Sequence, residues 1–472
     1  MLPECRNECD LFSIPKFTVE KRDVKDFINE LKGFHEEFGD CFSRSEPRDN
    51  FFRYMVGQFS ELERKSIEPI ALNVEGGKVR SMQRLISDTV WDEEKVLFKY
   101  RNMVSDDMGD PNGVLIFDES GFAKKGDDSV GVAKQYCGTL GKVENCQVGV
   151  FVAYASRDGY ALLDKRLYMP EKWFTEDYAI RRSKCDVPED LEFKTKPQLA
   201  IEMLQGLKGE DTFPFKYVAS DTIYGSSPEF IEAVENIVGR VYFVSIPSDT
   251  LCWLERPITR EKQYKYKGQM RTRLIVERTE KKPISVQALA KSINNYFWYR
   301  RKVSEGTKGP IEYEFTKRRI TLSRNGLPHK TVWLVIKRTI EEIPTYYYYI
   351  SNAPVSTRLK IFVWLSGIRW AIEQCFEETK SELGMDQYEV RKYAGWNHHI
   401  LTCILAHFFL WHLKIRLGKK APAITLSQLR ILFEVVLPLR VFNIDSAIEL
   451  VRWIQEKNHL AYLSHRKRRL KE

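Results

Sequence analysis

The sequence predicts a mixed α/β protein preceded by a helical region, and three observations support this fold class. Strand-like stretches at residues 113–117, 147–155 and 160–168 follow one another without a helix between them. The chain then alternates helix-like and strand-like stretches up to residue 246, and a second group of strand-like stretches lies within residues 248–352. This order is typical of a mixed sheet that is covered by helices.

Residues 1–105 are predicted to be mostly helical. Apolar side chains recur at helical spacing in residues 24–38 and again in residues 51–62. No Pro-rich linker divides these residues. The spacing therefore predicts one helical domain at the N-terminal end.

The first strand-like stretch, residues 113–117, is an apolar run that ends at Asp118 and precedes Gly121. A run without polar alternation is typical of a strand buried on both faces, and we expect a turn at Gly121. The pair Asp158-Gly159 separates the second and third stretches and predicts a β-hairpin.

Helix and strand alternate after this hairpin. We expect a helix at residues 197–207, a strand at 215–220 that ends at Asp221, a helix at 228–237 and a strand at 240–246. A three-stranded meander followed by this alternation is the order of a ribonuclease H-like domain. Several other mixed α/β folds share the same order.

A β-rich insertion is predicted within residues 248–352. Strand-like alternation recurs there at residues 311–322, 330–340 and 345–351, with polar or glycine-containing turns between these stretches. The insertion therefore interrupts the α/β alternation of the preceding residues.

Two long helices are predicted after the insertion. Residues 356–383 form the first, which starts after Pro354 and stops at Gly384. The second, residues 398–417, is about 20 residues long and strongly apolar. Because it also carries His398, His399, His407, His412 and Lys414, we expect it to pack on the core rather than to cross a membrane.

The composition is that of a globular protein outside the membrane and outside oxidising compartments. Hydrophobic residues make up 43% and charged residues 29%, and no long uncharged apolar run is present. The first residues lack the pattern of a signal peptide, so we expect a cytoplasmic protein. Nine scattered cysteines favour free thiols; Cys5 and Cys9 could be half of a metal site, but no second pair follows at suitable spacing.

The charge of the chain permits a nucleic-acid partner without requiring one. The net charge is +9, and basic residues crowd residues 260–273, 317–319 and 465–469. Such runs are as often plain solvated surface as binding sites.

Two aspartates, Asp118 and Asp221, follow predicted buried strands and could carry chemistry. A carboxylate at such a position is costly to bury unless it is paired or binds a cation. The alternative is that each aspartate caps the helix or turn that follows it.

A third acid lies on the helix predicted at residues 356–383. Arg369, Glu373 and Lys380 fall within roughly 40° of one another on a helix, hence on one face. They could be surface ion pairs. Together with Asp118 and Asp221, however, Glu373 would form an oxygen-rich site for two divalent cations, which suits phosphodiester chemistry.

Several stretches resemble the DDE-superfamily transposases of bacterial insertion sequences, in the branch with the YREK signature. The first block is LIFDESGFAKKG at residues 115–126, which continues through residues 129–147. The second is ASDTIYG at residues 219–225, and the third is RWAIEQCFEETK at residues 369–380, continuing through residue 391. The resemblance covers residues 40–415.

This resemblance implies a ribonuclease H-like catalytic core with a β-rich insertion and a catalytic triad of Asp118, Asp221 and Glu373. The same three acids are expected to hold two Mg²⁺ ions, for which Mn²⁺ can substitute. Arg369 and Lys380 match the signature, whereas Ser366 stands where the signature has a tyrosine that contacts a DNA phosphate. Glu377, one turn from Glu373, is the rival third ligand.

The resemblance also implies a set of DNA-contacting residues. Those expected are Arg369, Lys380, Lys124, Lys125, Tyr224 and Trp253. Trp253, with Trp333 as a second candidate, would stack on a flipped base, although an aromatic residue in a β-domain is more often part of the core. The pair His398-His399 is interpreted as structural or phosphate-facing rather than as a metal site.

The expected division of the chain is into five parts. They are an N-terminal helical DNA-binding domain (1–105), the first part of the catalytic core (106–247), the insertion (248–352), the rest of the core with the Glu-bearing helix (353–420), and a C-terminal helical segment with a basic tail (421–472). The resemblance implies binding of double-stranded DNA, namely terminal inverted repeats and target DNA, by a homodimer in the bacterial cytoplasm at the nucleoid, without a membrane.

Two other functions remain open on the sequence. A ribonuclease H-like nuclease without strand transfer would share the metal site. A DNA-binding protein derived from a transposase would often have lost one of the acids, and all three are present here.

Overall fold

The computed structural model describes residues 15–210, 213–267, 269–306 and 309–469. Within these ranges the chain is a mixed α/β structure in which helices pack against one large mixed sheet. The predicted fold class is therefore confirmed at this level. Cys5 and Cys9 lie outside the described residues.

The N-terminal part is helical. The two helices expected at residues 24–38 and 51–62 are present with shifted ends. The helices are α1 (Lys21–Glu36), α2 (Ser45–Phe59), α3 (Ile67–Asn73), α4 (Val79–Ser87) and α5 (Glu93–Met108).

An antiparallel meander follows the helices. Its strands are β1 (Val114–Ala123), β2 (Ala133–Cys137), β3 (Lys142–Ala155) and β4 (Tyr160–Tyr168). The hairpin predicted at Asp158-Gly159 is confirmed: it joins β3 to β4, and the Ser156 amide donates to the Gly159 carbonyl at 2.9 Å. The strand β2, which the sequence did not predict, lies beside the first residues of β3.

Helices and parallel strands then alternate as expected. They are α6 (Ala179–Lys184), α7 (Lys196–Glu210), β5 (Tyr217–Ser220), α8 (Thr222–Gly225), α9 (Pro228–Glu232) and β6 (Val241–Ser245). β5 lies parallel between β1 and β6.

The end of β1 differs from the prediction. The strand neither stops at Asp118 nor turns at Gly121, because residues 118–123 continue to pair with β3. On its other side β1 pairs with β5 only from Val114 to Phe117. Asp118 is thus the first residue beyond the β5 pairing; we call the place where the pairing of the two strands ends the cleft.

Residues 248–352, which the sequence analysis predicts to be an insertion and which we call the insertion below, are β-rich. The elements of the insertion are β7 (Leu251–Trp253), β8 (Thr259–Tyr266), β9 (Gln269–Val276), β10 (Ile284–Ser285), α10 (Val286–Ser292), β11 (Tyr299–Gly306), β12 (Gly309–Arg324), β13 (Leu327–Arg338) and β14 (Tyr346–Ser351). β14 pairs antiparallel with β6, so most of the insertion extends the core sheet. β8 and β9 form a separate two-stranded sheet.

Five helices complete the described chain. They are α11 (Leu359–Ile368), α12 (Trp370–Leu383), α13 (Tyr393–Leu417), α14 (Leu426–Glu434) and α15 (Ile444–Arg469). The prediction of one helix over residues 356–383 is wrong, because the chain first turns after Pro354 and the helix is then interrupted at Arg369. At that residue the hydrogen bonding tightens: the Ile372 amide donates to the Arg369 carbonyl three residues back.

Helix α13 is the central helix of the core, as predicted for residues 398–417. Residues Tyr393–Lys420 have the length and hydropathy of a membrane-spanning helix, but 78% of the apolar window is buried inside the protein. The N-terminal helices cover much of it: the Tyr54 hydroxyl lies 2.8 Å from His399 Nδ1, and Trp91 stacks on His398 at 4.1 Å. The helices α1 to α5 and the sheet therefore share one apolar core.

Candidate active site

Asp118 and Asp221 lie side by side just beyond the last paired residues of two neighbouring parallel strands, β1 and β5. The last paired residues are Phe117 and Ser220, so the two aspartates occupy the next position on each strand. The run from Val114 to Phe117 is completely buried, which fixes β1 in the middle of the sheet. Two acids far apart in the sequence are thereby brought to one cleft.

Asp221 also caps the short helix α8. Its Oδ1 accepts hydrogen bonds from the amides of Ile223 at 3.0 Å and Tyr224 at 3.5 Å. The capping interpretation therefore holds for this residue alongside its place in the cleft. α8 lies so close to the end of β6 that a Cβ on Gly225 would come within 1.9 Å of the Ser245 carbonyl oxygen, and only glycine fits there.

Burial dominates the ionisation of both aspartates. It raises the pKa of Asp118 from 3.8 to about 7, against the opposing effect of the Arg369 guanidinium. It raises the pKa of Asp221 to about 6, and the neighbouring Glu119 carboxylate raises it further. In the metal-free protein both carboxyl groups therefore stay protonated to higher pH than an exposed aspartate does. A bound cation would favour their ionised forms and lower both pKa values.

A third acid in the cleft, Glu119, was missed in the sequence analysis. Among the described residues, one carboxylate oxygen each from Asp118, Glu119 and Asp221 lies within 4.8 Å of the other two. We call these three residues the acidic cluster. Glu119 is held by Lys196 Nζ at 2.8 Å and by the Tyr224 hydroxyl at 3.2 Å. The only signal in the sequence is its position directly after Asp118.

Glu373 lies beside the acidic cluster but outside it, joined to Asp118 by Arg369. Arg369 Nη1 donates to Asp118 Oδ2 at 3.3 Å, and Nη2 donates to Glu373 Oε1 at 3.0 Å. The Glu373 side chain is 51% exposed, whereas that of Asp118 is 16% exposed. The interruption between α11 and α12 places Arg369 where it reaches both carboxylates.

Lys380 lies farther along β1 than the acids. Its Nζ donates to the Gly121 carbonyl at 3.3 Å and to the Thr139 hydroxyl at 2.9 Å. Burial lowers its pKa. Its ammonium group therefore lies along the same strand as Asp118, on the side facing α12.

The other expected DNA contacts occupy varied environments. Lys125 is exposed, while the Lys124 ammonium lies 3.3 Å from the centre of the Tyr388 ring, where burial lowers its pKa to about 8. Tyr224 is fully buried, and its hydroxyl contacts Glu119.

The two tryptophans considered for base stacking are buried in the insertion. Trp253 Nε1 donates to the Lys281 carbonyl at 2.8 Å, and Trp333 Nε1 donates to the Pro354 carbonyl at 3.2 Å. In this conformation they are core residues, which is the alternative that the sequence analysis left open. A role in base stacking stays a prediction.

A second residue missed in the sequence analysis is Lys337 on β13. Its Nζ lies 4.5 Å from the ring centres of both Tyr313 and Tyr347. Burial lowers its pKa to about 8, and the nearby Arg369 lowers it further, whereas Glu373 raises it. The insertion therefore brings a cation and two aromatic rings to the side of the site that holds Glu373.

The remaining candidates have structural surroundings. The Ser366 hydroxyl donates to the Val363 carbonyl of its own helix at 2.8 Å. His398 and His399 are buried with protein partners, and burial lowers the pKa of His399 to about 4. Their placement agrees with the structural interpretation of this pair.

The donor set of the cleft suits a hard divalent cation. Mg²⁺ and similar ions take oxygen ligands, commonly one or two carboxylates together with water and substrate phosphate. The acidic cluster offers three carboxylates within 4.8 Å, two of them with pKa values raised by burial. The residues present therefore fit a divalent metal site.

Comparisons with known proteins agree with this chemistry. The family described as "DDE superfamily endonuclease" matches residues 37–310, more than half of the chain. A probable transposase for insertion sequence element IS701 from Microchaete diplosiphon is 25% identical over 348 residues, which is 72% of this chain and 77% of that protein.

A solved structure, the piggyBac transposase synaptic complex with hairpin DNA, aligns with 92% of this chain and 74% of its own. The identity is 10% and the TM-score is 0.37, and a likeness of this size does not by itself establish a shared fold. The match to the family does not depend on it. The chain belongs to the DDE superfamily of endonucleases, and the prediction of an insertion-sequence transposase within that superfamily is confirmed.

Proposed function

We propose that this transposase cleaves and joins DNA strands with Asp118, Asp221 and Glu373 as the ligands of two Mg²⁺ ions. The observation that carries the proposal is the arginine bridge: Arg369 holds Glu373 next to Asp118, which itself lies beside Asp221. Bound Mg²⁺ would activate the attacking hydroxyl and stabilise the leaving oxygen at a phosphodiester.

The protein's own groups would prepare the site for that chemistry. Asp118 and Asp221 would release their protons when a cation binds, because its positive charge stabilises the ionised carboxylates. Arg369 holds Asp118 and Glu373 by hydrogen bonds until then, and afterwards would be free to hold a DNA phosphate with its planar fork. Lys380 adds a point charge farther along β1, where the DNA backbone would pass.

Glu119 and Glu373 compete for the role of third ligand, and we favour Glu373. Glu119 already has two partners, Lys196 and Tyr224, and is largely buried. Glu373 is half-exposed and, among the described residues, forms an ion pair with Arg369 alone, so it can turn towards the cleft at little cost. Glu119 in this view is a positioning residue for Tyr224 and α8.

The experiment compares Glu373→Gln with Glu119→Gln and with Glu377→Gln, the change at the rival ligand on the next turn of α12. We expect Glu373→Gln to lower cleavage of a transposon end by at least a hundredfold and to weaken Mn²⁺ binding measured by calorimetry. End binding without metal should remain, and Glu377→Gln should behave like wild type. Full cleavage by Glu373→Gln would refute the assignment, and loss with Glu119→Gln alone would transfer the role to Glu119.

We further propose that β1, β3, β4, β5 and β6 with their helices form a ribonuclease H-like core over residues 106–247 and 353–420. The support is the strand order: an antiparallel meander followed by two parallel strands, with the two aspartates directly after the last paired residues of β1 and β5. Residues 248–352 would be the insertion into this core, and residues 421–472 a C-terminal helical segment with a basic tail.

End recognition is proposed for the N-terminal helices. α2 and α3 pack so closely that a Cβ on Gly57 of α2 would come within 2.2 Å of the Ile70 side chain of α3, and α4 packs against both. α4 buries Met82, Leu85 and Ile86 and exposes one polar face, which presents Arg80, Gln83 and Arg84. Arg and Gln are the side chains that read guanine and adenine edges in the major groove.

This part of the proposal is tested with Arg80→Ala and Gln83→Ala, and with Arg22→Ala on α1 as the control. We expect the first two to lower affinity for the terminal inverted repeat at least tenfold more than affinity for an unrelated duplex. Equal losses on both duplexes would rule out base readout by α4.

The complete reaction is proposed to need two copies of the chain, one for each transposon end, and a target duplex in the bacterial nucleoid. A strand-transfer assay with two labelled ends and a plasmid target tests this. Joined products are expected with wild type. Cleavage without joining would favour the nuclease alternative.

A further inference from the structure

The hairpin formed by β8 and β9, which we call the ribbon, is a separate two-stranded sheet that touches the main sheet where β9 lies near β13. Its strands pair with each other over eight residues each and with no other strand of the described chain. None of its described side chains is buried, and Met270 is 64% exposed. A two-stranded hairpin without a covered apolar face is only marginally stable in water, so burial in a core does not explain this element.

The two faces of the ribbon differ in charge. Residues directly opposite each other in an antiparallel pair point to the same face, and the pairs here include Arg260 with Ile275, Lys262 with Arg273, Tyr264 with Arg271 and Tyr266 with Gln269. One face therefore carries four cations, two tyrosines and no acid. We call it the cationic face; its charged and aromatic residues are Arg260, Lys262, Tyr264, Tyr266, Arg271 and Arg273.

The opposite face has no such excess of charge. Glu261 and Lys265 lie on it, together with the apolar residues Met270, Leu274 and Val276. Lys262 and Lys265 are both exposed, lie on the same strand, and point to different faces. The asymmetry therefore comes from the alternation of the strand and not from the basic composition of the segment alone.

Three of the four cations of the cationic face have no ion-pair partner among the described residues. Arg260 pairs with Glu277 at 3.1 Å, but among the described residues no acid is paired with Lys262, Arg271 or Arg273. Lys262 lies directly opposite Arg273, a like-charge arrangement that destabilises a hairpin on its own. Arg273 and Arg271 lie over the Tyr264 and Tyr266 rings at 5.2 and 4.8 Å, which holds their guanidinium groups in place.

We propose that the cationic face of the ribbon binds the phosphate backbone of duplex DNA, as a site separate from the acidic cluster and from α4. Eight residues of extended chain span roughly 26 Å, and a two-stranded ribbon fits within the major groove. Ordered guanidinium groups suit phosphate oxygens, and phosphate contacts carry no sequence information. The site therefore adds affinity for any duplex that reaches the insertion.

The test measures how the affinity of the full-length protein for an unrelated duplex depends on salt. Each phosphate contact contributes about 0.9 to the slope of log K against log salt concentration. We expect Lys262→Gln to lower the slope by about 1, and the triple variant Lys262→Gln, Arg271→Gln, Arg273→Gln to lower it by about 3. The matched control Lys265→Gln, on the opposite face, should leave the slope unchanged.

Three results would overturn the proposal. The first is an unchanged slope in the triple variant with circular dichroism showing that it is folded. The second is an equal effect of Lys262→Gln and Lys265→Gln, which would indicate general charge rather than one face. The third is a loss confined to single-stranded DNA, which would identify a different ligand. None of these measurements uses cleavage, so the proposal for the ribbon and the proposal for the active site can be refuted independently of each other.

Discussion

Replacing Asp118 with Asn should stabilise the metal-free protein at neutral pH while it removes activity. Burial raises the pKa of Asp118 from 3.8 to about 7 even though Arg369 is its neighbour. The difference is about three powers of ten in proton affinity, which corresponds to about 4 kcal/mol for ionising this carboxyl in the folded protein.

The sign follows from proton linkage. The folded protein keeps this proton to higher pH than the unfolded chain does, so its stabilising contribution is complete below about pH 4 and is lost as the pH rises through about 7. Asn resembles the protonated acid and does not titrate. At about pH 8 Asp118→Asn should therefore be more stable than wild type by up to about 4 kcal/mol, and near pH 4 the two should be alike.

The assay is urea denaturation in EDTA at both pH values, with the exposed Asp127→Asn as control. Adding Mg²⁺ should raise the stability of wild type but not that of Asp118→Asn, because ligand binding stabilises only the state that binds. A variant that is less stable than wild type at the higher pH would refute the reasoning. It would mean that the loss of the ionic hydrogen bond from Arg369 lowers the stability more than the removal of the buried charge raises it.

Three further substitutions probe other parts of the structure. Lys337→Met should lower single-turnover cleavage about tenfold without changing end binding, because it removes a charge beside the arginine bridge; an unchanged rate would exclude Lys337 from the site. Gly225→Ala should lower the melting temperature by several degrees, since its Cβ meets backbone at the end of β6; thermal unfolding measures this. Arg101→Met should cost about 3 kcal/mol in denaturant unfolding, because the buried Asp164 then keeps one ion-pair partner among the described residues, Arg166; a loss below about 1 kcal/mol would contradict this.

Much of the fold was predictable because the local pattern of apolar and turn residues agrees with the burial of those residues in the structure. The apolar run at residues 113–117 forms a strand buried on both faces, and the Asp158-Gly159 turn forms its hairpin, since both signals act over a few residues. The end of β1 was not predictable. Whether the strand stops at Asp118 depends on β3, which continues beside it, and not on the residues that follow Asp118.

The site was predictable only in part. Asp118 and Asp221 follow buried strands, so the sequence could propose that they meet. Glu119 was missed because neighbours on a strand usually point to opposite faces, and its place in the acidic cluster depends on Tyr224 and Lys196. Lys337 approaches Glu373 only through the pairing of β13 and β14 with β6, a relation that no local pattern reports.

The pairing of β14 with β6 also decides whether the insertion can be treated as a removable part. If residues 248–352 were cut out and the flanking ends joined, β6 would become a bare edge strand with unpaired amides and carbonyls. Such an edge invites pairing with another molecule, so the shortened protein is expected to aggregate rather than to fold as a minimal nuclease. Shortening this transposase would therefore require a new strand that pairs with β6, or an inward-facing charged residue on β6, to prevent edge-to-edge association.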